Sequence, residues 1–269
     1  YLISEILEKI FCFFVCLLDR ERFTRDAGKR RAPPRPAGGR LSADLPAVSG
    51  GGAGDFLRKQ GVEKLDLVIA THPHSDHIGG MPDVLSRFGA DEILMPQMAE
   101  DMVPTTSVFN RLLDAVETQG IPVTAAQPGL AYDLGSGAKL TVLAPLQDYD
   151  DLNNYSVVCR LDCGETSFLF TGDAEKQVEQ DLISEGTQLQ ADVLKAGHHG
   201  SNTSSGYAFL NRVRPQLIVV PMRAGARLPG TEGLARLQST GAPVYQTGIY
   251  GPVKITVLPD GGFYVEEEH

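Results

Sequence analysis

Tryptophan is absent from this 269-residue chain, and aromatic residues make up only 7% of it. Proteins that bind single-stranded nucleic acid by base stacking combine aromatic and basic side chains along a groove, and the sequence shows no such stripe. Cations are also in the minority, because 24 Lys and Arg face 34 Asp and Glu, for a net charge of −10. A surface for duplex DNA is therefore not expected, and an anionic substrate would need a metal ion to bind it.

Cysteine is scarce, and its four residues show no pair with the C-x₂-C spacing of a zinc knuckle. Cys12 and Cys16 lie in an apolar run, whereas Cys159 and Cys163 lie in a predicted strand. We expect all four to be free thiols without a catalytic role.

The apolar run Ile10–Leu18 has nine residues, which is too short to span a bilayer but within the length of a signal-peptide core. Lys9 precedes it, whereas Glu5 and Glu8 interrupt the expected basic segment. The run is either a buried or translation-artefact segment or the remnant of a signal or anchor. In the second case the protein would be extracellular or membrane-associated, and otherwise cytoplasmic.

The chain divides by composition near residue 54. Residues 1–54 carry nine Lys and Arg against six Asp and Glu, and residues 55–269 carry 15 against 28. The stretch RRAPPRPAGGR, residues 30–40, has no apolar periodicity. We therefore predict an irregular basic head outside the core, most simply a solvated tail rather than a lipid or nucleic-acid contact, and one domain over residues 55–269.

After residue 55, short β-rich runs alternate with amphipathic helical stretches. The predicted strands are Leu65–Ala70, Glu92–Met95, Pro122–Ala125, Lys139–Leu143, Ser156–Asp162, Thr166–Thr171, Asp192–Ala196, Leu217–Val220, Val244–Thr247, Val253–Leu258 and Gly262–Glu266. The predicted helices are Gly54–Gln60, Met81–Arg87, Thr106–Gln119, Ala174–Ser184, Ser205–Val213 and Gly233–Ser239. A hairpin signal at residues 163–165 adds antiparallel pairing, so we predict an α/β (α+β) fold with mixed sheets and helices outside.

The strongest chemical signal is THPHSDH, residues 71–77, directly after the apolar strand LDLVIA. Three imidazoles and one carboxylate lie within six residues, and a loop at the end of a strand can turn them toward one point. Neutral imidazole and carboxylate are ligands that Zn²⁺ and similar divalent ions take. The alternative is a polar turn with surface histidines, which is the weaker interpretation because the chain has only six histidines.

The H-x-H-x-D-H pattern resembles the signature of the metallo-β-lactamase superfamily. The stretches DDLNNYSVV, TSFLFTGDAE and LKAGHHGSNTSS are similar to those of ComEC-type competence proteins and their free-standing relatives. The resemblance implies an αββα fold, two divalent metal ions (Zn²⁺ or Mn²⁺) and hydrolase activity. It covers residues 55–269.

The resemblance also implies the ligand set. His72 and His74 would hold one metal, Asp76 and His77 a second, and Asp173 would bridge them. Either His198 or His199 would complete the second site. Two cations sharing a water lower its pKa toward neutrality.

The expected catalytic residues are Asp76, which could orient or deprotonate that water, and His199. Candidate substrate-binding residues are Asn154, Ser201 and Asn202. For the last two, ordinary turn chemistry is the favoured alternative. Other superfamily members place a further histidine where this chain has Asn153 and Asn154.

The chain departs from the ComEC-like pattern at both ends. The opening strands with a D-V-G-Q-G-D-like stretch are not recognisable before Asp55, so the first sheet is expected to have missing or divergent N-terminal strands. Near the C-terminus, Leu228 stands where relatives carry the histidine of G-H-P, and Thr247-Gly248 stands where relatives carry T-D.

Three functions are compatible with these residues. The leading hypothesis is hydrolysis of a phosphodiester, in a small anionic or single-stranded nucleic-acid substrate, related to DNA uptake. The second is hydrolysis of another ester, such as a phosphorylcholine ester or a lactone, by the same metals. The third is a metal-binding domain with impaired catalysis.

Overall fold

Strands and helices alternate along the described part of the chain. The computed structural model describes residues 2–5, 15–17, 52–59, 61–135, 137–251, 253–258 and 261–267. Its strands are β1 (Leu2–Glu5), β2 (Val15–Leu17), β3 (Leu65–Ile69), β4 (Ala90–Pro96), β5 (Val123–Ala126), β6 (Ala131–Gly135), β7 (Ala138–Ala144), β8 (Val158–Cys163), β9 (Thr166–Phe170), β10 (Val193–Lys195), β11 (Leu217–Val220), β12 (Val244–Gln246), β13 (Val253–Val257) and β14 (Phe263–Glu267). Its helices are α1 (Gly52–Lys59), α2 (Ser75–Ile78), α3 (Met81–Phe88), α4 (Ser107–Gln119), α5 (Lys176–Ser184), α6 (Tyr207–Val213), α7 (Thr231–Gln238) and α8 (Thr247–Tyr250).

The largest sheet has seven strands in the order β12-β11-β10-β9-β8-β7-β6. The strands from β9 to β12 pair in parallel, and those from β6 to β9 pair antiparallel. Cys163 pairs with Thr166 across a two-residue turn, and Gly164 has the positive φ of 61° that such a turn favours. The predicted hairpin and the predicted mixed sheet are therefore confirmed.

Two smaller sheets complete the β-structure. Strands β3, β4 and β5 form a parallel sheet, and β14-β13-β1-β2 form an antiparallel one. Alternating side chains on the strands divide between separate cores, as the period of two requires. On β9, Phe168 and Phe170 enter the core between the sheets, whereas Leu169 enters the core beneath the helices.

Three apolar clusters define four layers. The central cluster joins the seven-stranded sheet to strands of the two smaller sheets. A second cluster packs helices α5, α6 and α7 on the outer face of the large sheet. A third packs α1, α3 and α4 on the outer face of β3 and β4. This is the predicted αββα arrangement, with helices outside a β-sandwich.

All eleven predicted strands and all six predicted helices are present, and their ends differ from the prediction by two residues at most. The prediction missed the strands β1, β2 and β6 and the short helices α2 and α8. Strand β6 lies at the edge of its sheet between glycines, and its apolar side chains at Tyr132 and Leu134 are only partly buried against the central cluster. Helix α2 is a single turn inside the histidine motif, too short for a periodic pattern.

Part of the basic head joins this fold. The structure pairs Leu2–Glu5 with β13 and Val15–Leu17 with β1, so these two segments belong to a sheet rather than to a separate tail. Most of the head, residues 6–14 and 18–51, lies outside the described residues, as do Cys12 and most of the run Ile10–Leu18. The domain boundary at residue 54 therefore stays a prediction.

Within the ranges given above, no helix has the length and apolar character to cross a membrane. Cys159 and Cys163 are buried free thiols, as predicted for them. Burial raises the pKa of each to about 12, so neither is a nucleophile at neutral pH.

Candidate metal centre

The ends of three strands bring the predicted ligands together. Strands β9 and β10 are parallel neighbours, so the segments after them, carrying Asp173 and the His198-His199 pair, leave the sheet at the same edge. The histidine motif follows β3 in the facing sheet. A hydrogen bond from Val157 N to Thr71 O (2.8 Å) links the two sheets beside it.

His72 faces this meeting point with one ring nitrogen. Its Nδ1 lies 3.3 Å from the hydroxyl oxygens of both Thr71 and Ser156, so an Nδ1–H can donate to them and leave the Nε2 lone pair available. Nε2 is fully buried and has no hydrogen-bond partner among the described residues. It lies 3.9 Å from Asp173 Oδ2. The ring of His74 stands edge-on to that of His72, with centroids 4.9 Å apart.

Helix α2 turns the second half of the motif inward. His74 precedes its first turn, and His77 at its end is buried. The Nε2 atom of His77 lies 3.0 Å from Asp173 Oδ2, whereas the Asp76 side chain remains 49% exposed. Of the two carboxylates, Asp76 and Asp173, Asp76 is therefore the one that a substrate can reach from solvent.

A glycine lets Asp173 approach the motif. Gly172 has φ +52°, and a Cβ there would lie 2.8 Å from the Ser156 side chain. The close approach allows Asp173 N to donate to Ser156 Oγ (2.9 Å). Ser156 therefore holds Asp173 through its backbone and His72 through its ring, which fixes the two groups relative to each other.

The histidine pair sits in a strained turn. Both residues have positive φ, 46° at His198 and 53° at His199, a conformation that costs on the order of 1 kcal/mol or more for a non-glycine residue and is concentrated at functional sites. His199 Nδ1 lies 2.8 Å from Pro221 O, and its Nε2 lies 3.4 Å from Asp173 Oδ2 and 3.6 Å from Asp76 Oδ2. His198 Nε2 is farther from Asp173 Oδ2, at 3.9 Å.

The donor set fits a divalent cation. The Nε2 atoms of His72, His77, His198 and His199 all lie within 3.9 Å of Asp173 Oδ2. Ligand atoms of a tighter group, Asp76, His77, Asp173 and His199, lie within 4.8 Å of one another. Imidazole nitrogens and carboxylates are the ligand types with which proteins hold such a cation. The tight group contains His199 rather than His198, and which of the two would bind a metal stays a prediction.

Burial and mutual charge shift the pKa values of these groups. Burial, reinforced by His77, lowers the pKa of His72 well below its ordinary value, and burial also lowers that of His77. Burial would raise the pKa of Asp173, but the adjacent His77 and His199 hold it well below its usual range. Hydrogen bonding to His199 lowers the pKa of Asp76. Both carboxylates are therefore ionised at neutral pH.

His199 behaves in the opposite way. Burial lowers its pKa, but hydrogen bonds to Asp173 and Asp76 outweigh burial and raise the pKa from 6.5 to about 9. A proton on His199 thus takes the place of a cation in the metal-free protein. Proton and metal compete for the same nitrogen.

This competition predicts a pH dependence of stability. The folded-state pKa of His199 is raised, so its contribution to the free energy of unfolding is complete below pH 6.5 and is lost as the pH rises through 9. We expect the chelated protein to lose stability across this window in urea unfolding, and the metal-loaded protein to lose less. The variant His199→Asn serves as control and should abolish the difference. A chelated wild type as stable at pH 9 as at pH 6.5 would contradict the assignment.

The three candidate substrate-binding residues are engaged within the protein. Asn154 Oδ1 accepts from Glu175 N (3.0 Å), Ser201 Oγ lies 2.9 Å from Thr203 Oγ1, and Asn202 Oδ1 accepts from Gly233 N (2.9 Å). Of these three contacts, that of Ser201 is local turn chemistry, whereas Asn154 and Asn202 bond to residues 21 and 31 positions away. Contact with substrate stays a prediction for all three, as does the metal-ligand role of the seven predicted ligands.

Two residues near the site were missed in the sequence. Lys195 is buried at the end of β10, donates to Gly172 O (2.7 Å) and lies 3.9 Å from Asp173 Oδ1. Glu175 Oε1 lies 3.2 Å from His198 Nδ1. The signal for Lys195 was present, because a lysine inside the apolar strand DVLKA needs a buried partner.

A third missed residue, Arg236 on α7, holds the loop after the histidine pair. It is buried and donates to the carbonyls of Ser201, Asn202, Ser204 and Ser205 at 2.8 to 3.4 Å. Its helical position suggests an ordinary surface charge, so no local pattern marks it.

Comparison with known proteins agrees with this geometry. The family model "Metallo-beta-lactamase superfamily" matches residues 46–220. ComE operon protein 3 of Bacillus subtilis (strain 168) is 28% identical over 202 residues, 74% of this chain and 25% of that protein. Competence protein ComA of Neisseria gonorrhoeae is 29% identical over 203 residues, 74% of this chain and 26% of that protein. This chain thus spans about a quarter of the length of these relatives.

Among solved structures, Tm1679, a metal-dependent hydrolase of the beta-lactamase superfamily, is 14% identical with a TM-score of 0.48, over 76% of this chain and 84% of that one. The family match covers more than half of the sequence, and the relatives confirm the resemblance to ComEC-like proteins. The chain belongs to the metallo-beta-lactamase superfamily.

Proposed function

We propose that this protein hydrolyses phosphodiesters, in a small anionic or single-stranded nucleic-acid substrate, in a process related to DNA uptake. One observation carries the proposal: four imidazole Nε2 atoms converge within 3.9 Å of a single oxygen of Asp173. Such a set holds a divalent cation, and cations of this kind neutralise the charge on phosphoryl oxygens.

We further propose that the site takes two ions, Zn²⁺ or Mn²⁺. The rings of His72 and His74 are neighbours, with centroids 4.9 Å apart, and the other candidate ligands, Asp76, His77 and His199, group with Asp173. Imidazole and carboxylate ligands suit either metal. When bound, these ions supply Lewis acidity and lower the pKa of water at the site.

The carboxylates of Asp76 and Asp173 have different roles in the proposed reaction. Asp76 is half-exposed and its pKa is low, so it is suited to binding and orienting a cation or a water rather than to removing a proton, for which a pKa near the working pH is best. Asp173 is buried and held by Ser156. Hydrolysis then forms one bond from a water oxygen to phosphorus and breaks one ester bond, and the leaving oxygen takes up a proton.

The choice of a phosphodiester rests on the relatives and on charge. The matched relatives are named as ComE operon and competence proteins, which favours a nucleic-acid substrate over a lactone. Residues 55–269 carry 15 cations against 28 anions. Long-duplex binding depends on many phosphate contacts with cations, so a short or single-stranded substrate suits this surface better.

Assays with three substrates test the proposal. The metal-loaded protein, prepared with Mn²⁺ or Zn²⁺, is offered single-stranded DNA, bis-p-nitrophenyl phosphate and a lactone, with the chelated protein as control. We expect metal-dependent cleavage of the first two and none of the third. Cleavage of the lactone alone would favour the second hypothesis, and tight metal uptake without turnover would favour an impaired domain.

A further inference from the structure

The orientation of His199 depends on a carbonyl from another part of the chain. His199 Nδ1 lies 2.8 Å from Pro221 O, so the Nδ1–H donates to this carbonyl and Nε2 faces His77 and Asp173. Pro221 directly follows β11 and begins the segment of residues 221–230, in which residues 223–227 are exposed. Such a segment needs an anchoring contact with another part of the chain if the Pro221 carbonyl is to keep its position.

Thr247, the first residue of α8, provides that anchor. Its Oγ1 accepts from Met222 N and donates to Met222 O, both at 3.0 Å, and the residue is 1% exposed. The Thr247 hydroxyl bonds to Met222 rather than to its own helix. Helix α8 has no side-chain cap. One hydroxyl therefore fixes the two peptide groups on either side of Met222, and the first of these contains the Pro221 carbonyl.

The neighbouring glycine strengthens this contact. A Cβ at Gly248 would lie 2.6 Å from the carbonyl carbon of Arg223 and 2.7 Å from Ala224 N. The backbone of residues 223–224 therefore packs directly on α8, and any side chain at position 248 would push it away.

We propose that Thr247 is a positioning residue for the metal site. By holding Met222 it fixes the Pro221 carbonyl, and this carbonyl sets the tautomer and ring orientation with which His199 faces a divalent cation. Groups behind a metal-ligating histidine act in this way in metalloproteins generally. The inference rests on the metal-dependent function proposed above and adds the residue that aligns one of its ligands.

Variants at Thr247 and at a matched control position test the inference. Thr247→Val keeps the shape of the side chain and removes both hydrogen bonds, whereas Thr247→Ser keeps them. Thr166→Val is a matched control, because the buried Thr166 hydroxyl donates to Gly261 O at the opposite end of β9. Affinity for Zn²⁺ and Mn²⁺ is measured by calorimetric titration of the chelated proteins.

We expect Thr247→Val to bind metal about tenfold more weakly, at the lower end of the effect of groups behind a ligand, and the other two variants to bind as the wild type does. The NMR signal of the His199 Nδ1–H should be protected from exchange in the wild type and in Thr247→Ser, and exposed in Thr247→Val. Gly248→Ala, which displaces the same backbone, should weaken metal binding in the same direction.

Wild-type affinity in a folded Thr247→Val overturns the inference. If that variant does not fold, Gly248→Ala decides, and wild-type affinity there overturns the inference equally. Absence of metal binding in the wild type itself would instead refute the proposed function, so the two failures are distinguishable.

Discussion

Asp173→Asn is expected to lower kcat/KM for bis-p-nitrophenyl phosphate on the order of 10³-fold, as loss of a group on which a catalytic unit depends does. The carboxylate is the common neighbour of the four imidazoles, and an amide removes the negative charge around which a cation is held. Metal content after dialysis should fall together with activity. Both are measured on the same preparation.

Asp192→Asn is the matched control for that variant. Asp192 precedes β10, at the opposite end from Lys195, and accepts from Ser167 N and Ser167 Oγ, both at 2.8 Å. Loss of the Asp192 carboxylate should lower the free energy of unfolding without changing metal content or kcat/KM. Full activity in Asp173→Asn, or an equal loss in both variants, would contradict the assignment of the centre.

Arg236→Met is expected to lower the free energy of unfolding by about 3 kcal/mol, because buried carbonyls lose charge-assisted hydrogen bonds. The side chain holds the loop of residues 201–205 through four carbonyls. Its ion pair with Glu232, at 4.0 Å on a 77% exposed partner, adds little. Urea unfolding of the chelated protein measures the change.

Arg212→Met supplies the comparison, since Arg212 is exposed on α6 and its removal should change stability by no more than about 0.5 kcal/mol. Arg236→Lys should recover only part of the loss, because an ammonium group lacks the planar fork of donors. A folded Arg236→Met as stable as the wild type would show that the loop of residues 201–205 does not depend on the hydrogen bonds from Arg236.

Much of the fold could be predicted because the apolar pattern of most segments matches the strand or helix that the segment forms. Apolar alternation located the strands, and the hairpin at residues 163–165 was readable from one glycine between two β-rich runs. The edge strand β6 was missed because an edge strand buries little, so its pattern is weak. The pairing of Leu2–Glu5 with β13 could not be foreseen, because it joins residues about 250 positions apart.

The metal centre, like the fold, could be predicted from the sequence only in part. The histidine motif could be named because its ligand types cluster in the sequence, whereas Asp173 and the histidine pair were named from the resemblance to ComEC-like proteins. Which histidine enters the tight group is set by two positive φ angles and by the Pro221 carbonyl, neither of which leaves a local trace. The roles of Lys195, Arg236 and Thr247 depend on backbone atoms of distant segments, and sequence patterns carry no record of such contacts.

Anomalous X-ray diffraction at the absorption edge of the metal, from crystals loaded with Mn²⁺ or Zn²⁺, tests the central claim most directly. The geometry predicts a peak within about 2.0 to 2.2 Å of both Asp173 Oδ2 and His199 Nε2, the distances at which carboxylate oxygen and imidazole nitrogen bind such ions. A loaded crystal with its metal peaks elsewhere on the protein, and none between these two atoms, would contradict the account.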